Sequence, residues 1–222
     1  MMMRAATANA ARKRSGLRAL VIAGISWLFM LAIAIPASLF YGIPVRNLTR
    51  DASYISNGGF YIGLISNLGI VLWAGSAAIC FLAYAMLKER PVASRAPLFF
   101  LVSALFTLVM LGDDLMQLHS IIPEYFGIRR KGFLALYGLG AALYLYWFRA
   151  HILASDYMPL TVALTLFAIS AAIDLIPGEF RGQYLLEDGA KFAGIATWFA
   201  YFFRLASDTL SLTTPDSEWT SK

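Results

Sequence analysis

Residues 96–120 read APLFFLVSALFTLVMLGDDLMQLHS, and the fold class turns on how that stretch is read. Ala96 to Gly112 is uncharged over 17 residues, roughly 25 Å if helical. Crossing a ~30 Å hydrocarbon core takes about 20 apolar residues. The run therefore reads as a membrane span that falls just short, so that Asp113 and Asp114 arrive at the boundary of the hydrocarbon.

Comparable runs lie on both sides of it. Ala19–Tyr41 precedes, with Pro36 near its far end, and Gly59–Leu87 follows, closed by Lys88-Glu89-Arg90-Pro91. After Pro97–Ser120 come Gly132–Phe148, Tyr157–Ile176 and about Leu186–Leu210. The first is longer than the 7–15 apolar residues of a secretory signal, which makes it a retained anchor. The expectation is an all-α, polytopic bundle of six transmembrane helices over residues 17–210. A basic, disordered, cytoplasmic N-terminus (1–16) and a disordered C-terminal tail (211–222) flank it.

Composition points the same way. The chain is 59% hydrophobic and 14% charged, with a mean hydropathy of +0.67, whereas soluble domains carry about 25% charged residues. A lone cysteine, Cys80, excludes a disulfide framework and a multi-thiolate metal site. The net charge of +5 is no nucleic-acid signal, because five of the 18 basic residues precede the first apolar run and no basic stripe with interleaved aromatics follows. With six spans the basic residues divide 11 to 7 between the two faces. The positive-inside rule then puts both termini of this membrane protein in the cytoplasm. The lipid bilayer is the first expected partner; a membrane-protein partner or a homo-oligomer is the second.

Short spans gather acids at the opposite, outer face. The fifth run is uncharged from Tyr157 to Ile173 and the sixth only from Phe192 to Phe203. Asp113, Asp114, Asp174, Glu187 and Asp188 are drawn to the interface, where short carboxylate arms cannot snorkel as Arg204 can. Asp113 or Asp114, Asp174, and Glu187 or Asp188 are expected to share one pocket facing protein or water. On a continuous third helix Asp113, Gln117 and Ser120 form a polar stripe at i, i+4 and i+7, while Asp114 and His119 lie off it. For His119 to share a metal with an aspartate, that helix must unwind before Pro123 or other helices must contribute. Its histidine makes His119 the pH-sensitive member of such a pocket.

Each of these residues also has a plain structural role open to it. Asp113, Asp114 and His119 could cap and solvate a helix end; Glu187 and Lys191, in favourable i,i+4 order, could form an ion pair along the sixth helix. Asn67, Gly63, Gly69, Gly138 and Gly140 suit close helix packing, and Tyr137, Tyr144, Tyr146 and Trp147 suit packing or interfacial anchoring. His151 falls in an inner loop. A short echo links Asp114-Leu115…Ile122-Pro123-Glu124 to Asp174-Leu175-Ile176-Pro177-Gly178-Glu179, as a duplicated hairpin would.

The segments Asp113-Asp114-Leu115…Leu118-His119, Asn67-Leu68-Gly69 and Leu186-Glu187-Asp188-Gly189-Ala190-Lys191…Gly194-Ile195…Trp198 resemble an uncharacterised group of bacterial six-span membrane proteins. The resemblance runs from the second helix to the sixth and implies no particular activity. Alkaline-ceramidase-type hydrolases also combine serine, aspartate and histidine near a membrane face, but they use seven spans and a three-histidine zinc site. Two histidines cannot build one.

Three function classes stay open. A membrane-embedded enzyme would use Asp113, Asp114, His119 and Glu187 as catalytic acids and bases. A metal site would draw on Asp113, Asp114, His119, Asp174, Glu187 and Asp188, and such an oxygen-rich set suits a divalent ion such as manganese, iron, calcium or magnesium. An accessory or assembly subunit would need no chemistry. An ion- or proton-coupled transporter would need polar groups nearer the midplane.

Overall fold

The computed structural model describes residues 21, 25, 28, 31–45, 47, 56–59, 61–89, 95–127, 130–176 and 180–212. The expected N-terminal segment 1–16 and residues 213–222 lie outside them. All secondary structure among the described residues is helical. The chain divides into two compact units, Met1–Ile62 and Gly63–Lys222.

In the first unit, helix α1 (Leu31–Tyr41) is short and apolar. It ends where Gly42 adopts a left-handed backbone, φ 65°, a conformation glycine takes without steric cost.

The second unit holds six helices: α2 (Leu64–Leu87), α3 (Ala96–Met116), α4 (Leu118–Phe126), α5 (Arg130–Leu153), α6 (Met158–Asp174) and α7 (Gln183–Leu212). Prolines in the first turns of α3 and α6 set their starts, since proline's missing N–H costs nothing there. The principal packing pairs are α2 with α3 and α6 with α7, joined by α2 against α7. Small residues make the last two close. A Cβ on Gly194 of α7 would sit 2.7 Å from the Phe167 ring of α6, so only glycine fits at that crossing.

The core is strongly aromatic. Phe99 is fully buried and its ring meets those of Phe100, Tyr144, Phe148, His151 and Phe202. Three hydrogen bonds join polar side chains from different elements. Ser103 shares a 2.7 Å hydrogen bond with Tyr144, the Trp198 indole donates to Thr107 at 3.2 Å, and Ser155 meets Tyr201 at 3.1 Å. The outer surface is apolar instead: Val71 and Leu82 of α2, Val109 of α3, Leu139 and Leu143 of α5 and Phe203 of α7 are all more than half exposed.

Two described helices, α2 and α3, are both long and apolar enough to cross a membrane, while α1 and α6 are apolar but shorter. Several expected boundaries shift. The third helix stops at Met116 instead of running to Ser120, and the last continues through Ser211 and Leu212. His151 is not in a loop; it lies in the last turn of α5 with its buried Nε2 unpartnered.

Candidate functional site

The site begins with a break. Gln117 takes a left-handed conformation, φ 52° and ψ 40°, ending α3 and starting α4. A non-glycine residue there costs roughly 1–2 kcal/mol. The break abolishes the continuous stripe expected of Asp113, Gln117 and Ser120, whose helix is now two, and it leaves Gln117 exposed.

In exchange it folds His119 back over Asp113. The His119 backbone N–H donates to Asp113 Oδ1 at 2.7 Å, and its ring Nδ1 lies 2.8 Å from Oδ2. The Tyr137 hydroxyl, from α5, donates to Oδ1 at 2.9 Å. Both oxygens of Asp113 are thus acceptors. An ionised carboxylate can only accept, so Nδ1 carries the imidazole proton and Nε2 keeps its lone pair.

Asp114, one residue on, faces a different set. The Trp73 indole N–H of α2 donates to its Oδ2 at 2.9 Å, and the Lys191 ammonium of α7 is ion-paired with its Oδ1. Two successive aspartates on α3 therefore tie it to α4 and α5 on one side and to α2 and α7 on the other. The Asp114 side chain is 9% exposed, and burial of that degree calls for the partners it has. Lys191 thereby bridges α7 and α3.

Both aspartates border a cleft of about 380 Å³. His119, Tyr137, Asp174, Glu187 and Lys191 also line it, over an apolar floor of Trp73, Phe106, Phe167 and Trp198. Asp174 and Glu187 are half-buried and each is engaged with neighbours of its own. Asp188 is exposed and does not line the cleft. Five of the six acidic and histidine residues singled out from sequence thus meet here.

A metal is poorly served by this arrangement. Among the described residues no three histidine, cysteine, aspartate or glutamate side chains converge to hold an ion. The reason is visible in the bonding: Asp113 is committed to His119 and Tyr137, and Asp114 to Trp73 and Lys191. What the site offers is a bare imidazole nitrogen backed by a carboxylate, together with a buried ion pair.

Sequence reasoning missed three contributors. Tyr137 reads as packing or an interfacial anchor and Trp73 carries no site signal, because nothing local connects residues 24 and 41 positions from their partners. Gln117 carries no signature of a left-handed residue, for which glycine or asparagine would be the signal.

The fold and site together define, among the described residues, a helical bundle with a largely apolar cleft bordered by charged side chains. The chain belongs to a family described as a domain of unknown function (DUF8692), whose model matches residues 18–205. No curated protein and no solved structure matches it.

Proposed function

We propose that the protein is a six-span integral membrane protein whose cleft performs acid–base chemistry on an amphiphilic molecule. Membrane residence is supported by the apolar outer surface of α2, α3, α5 and α7 and by the length and apolarity of α2 and α3. In water so much exposed leucine, valine and phenylalanine would drive association; in lipid it is the expected exterior. The 11-to-7 division of basic residues supports cytoplasmic termini in a bacterial inner membrane, with the cleft towards the outer face. The same reading fits the six-span bacterial group that the Asp-Asp-Leu…Leu-His segment resembles. A reporter fused to the C-terminus should be active only as a cytoplasmic reporter; periplasmic activity there would invert the site.

One observation carries the chemical reading: Asp113 holds His119 Nδ1 at 2.8 Å beside a cleft of ligand size. A carboxylate on one ring nitrogen orients the imidazole and fixes its tautomer. His119 Nε2 can then take a proton from a water or hydroxyl in the cleft, giving an imidazolium paired with the Asp113 carboxylate, and return it to a leaving group. Apolar walls exclude competing water and admit a hydrocarbon body.

The test is acylation by diethyl pyrocarbonate, mapped by peptide mass. The chain has two histidines, and His151 serves as the buried reference. His119 should react several-fold faster than His151, and Asp113→Asn should slow it at least threefold without changing the His151 rate. Equal rates for His119 in both proteins would overturn the dyad.

A further inference from the structure

We infer that the ligand of this cleft is a neutral molecule, a hydroxyl on an apolar body, whose hydroxyl donates to His119 Nε2. The inference rests on the proposed cleft chemistry and adds the class of molecule it takes. The charged groups of the lining are already bonded. Asp113 accepts from the His119 backbone, the His119 ring and Tyr137, and Asp114 accepts from Trp73 and Lys191. Asp174 and Glu187 are engaged with neighbours of their own. The Trp198 indole is spent as well, on Thr107. The lining atoms left open are neutral: among the described residues nothing meets His119 Nε2 or the Ser170 hydroxyl. The His119 side chain is 20% exposed. With Nδ1 protonated, Nε2 can only accept, so it calls for a donor.

That pairing weighs against charged ligands of either sign. An anion would compete with Asp114 for Lys191, and a carboxylate only 9% exposed would lose its counter-ion. A cation would bury its charge beside aspartates whose donors are already in place, without a carboxylate of its own. A hydrocarbon lacking a donor would cover Nε2 and leave it unsatisfied. A neutral hydroxyl avoids all three costs. Its apolar body suits the remaining wall, built of Phe106, Met110, Leu164, Phe167, Ala168 and Ala171 around about 380 Å³. The charge then develops in place. The O–H bond breaks with its electron pair left on oxygen, an N–H bond forms at Nε2, and the imidazolium is balanced by Asp113. The hydroxyl belongs either to a free alcohol or phenol or to the glycerol of a diacylglycerol, which share this chemistry.

The experiment uses the full chain in uncharged nanodiscs, with octanol, methyl octyl ether, octanesulfonate, octyltrimethylammonium and dihexanoylglycerol as probes. Binding is read by protection of His119 from diethyl pyrocarbonate and by the nitrogen NMR signal of its Nε2. The ether enters lipid more readily than the alcohol, so mere solution in the bilayer would favour the ether. Octanol should instead bind about fivefold more tightly than the ether and about tenfold more tightly than either ion. It should also move the Nε2 signal as an accepted hydrogen bond does, and the ether should not. Tighter binding of dihexanoylglycerol than of octanol assigns the lipid hydroxyl; weaker binding assigns the free alcohol. His119→Phe, followed by tryptophan fluorescence, should abolish the preference for alcohol over ether, whereas loss of fold would weaken both together. An ion bound as tightly as octanol, or a preference for alcohol that survives His119→Phe, would overturn the assignment. If His119 stays Asp113-dependent in its reactivity while alcohol and ether bind alike, the acid–base reading stands and the ligand class falls.

Discussion

The two ends of the bundle solve the same problem in different ways. Around Phe99 hydroxyls are matched with hydroxyls, Ser103 with Tyr144 and Ser155 with Tyr201. Around the cleft carboxylates are held by polar partners, Asp113 against the His119 imidazole and Asp114 against the Lys191 ammonium. Neutral pairs lock helices together at low desolvation cost, whereas charges near a low-dielectric interior cost more to bury and pair. A protein built only to pack would have no need of the second kind. The comparison teaches that the Phe99 end carries stability and the cleft end carries chemistry.

Substitutions can break or sharpen that division. The largest effect belongs to Phe99→Ala, which removes a fully buried ring from five aromatic neighbours. It should cost roughly 3 kcal/mol, seen as a lower melting temperature in detergent, with little change in the Asp113 dependence of His119 acylation just above freezing. A change in stability below that of Gln117→Gly would remove the stability end from the account. Next comes Asp114→Ala, which strands the Trp73 N–H and the Lys191 ammonium. About 2 kcal/mol should be lost, and less with Asp114→Asn, which still accepts from Trp73. Neither change should reduce the Asp113 dependence of His119 reactivity if the two aspartates work separately.

Ser103→Ala should cost about 1 kcal/mol by leaving the buried Tyr144 hydroxyl without that partner. Adding Tyr144→Phe should recover most of the loss, a coupling that a double-mutant cycle would measure. An additive result would mean that the pair is not a bond. The smallest change is a gain. Gln117→Gly relieves the left-handed strain and should stabilise by roughly 0.5–1 kcal/mol while His119 keeps its reactivity. Destabilisation would show that the break between α3 and α4 is held by the glutamine itself.

The helical class was legible because apolar runs separated by charge leave few alternatives, and 17 uncharged residues before Asp113 already placed two acids at a helix end. The gathering of Asp113, Asp114, Asp174 and Glu187 followed from the same span lengths. What they would bond was hidden. A left-handed Gln117 has no compositional mark, yet it alone decides that His119 reaches Asp113. The partners Trp73 and Tyr137 are 41 and 24 residues from their aspartates, and helix-to-helix orientation, which periodicity does not encode, brings them in. Lys191 illustrates the limit well: its spacing to Glu187 is visible along one helix, whereas its ion pair with Asp114 on another helix is not. Of Glu187 and Asp188, Glu187 is the one that lines the cleft, since adjacent residues on a helix face about 100° apart.

The central claim is that Asp113 fixes His119 with its proton on Nδ1 and its lone pair on Nε2. Nitrogen NMR of the histidine-labelled protein at alkaline pH reads this directly, since two histidines give two resolvable rings. The account predicts that one ring has a protonated Nδ1 and a bare Nε2, and that Asp113→Asn shifts that ring alone. A His119 ring with its proton on Nε2, or one indifferent to Asp113→Asn, would contradict it.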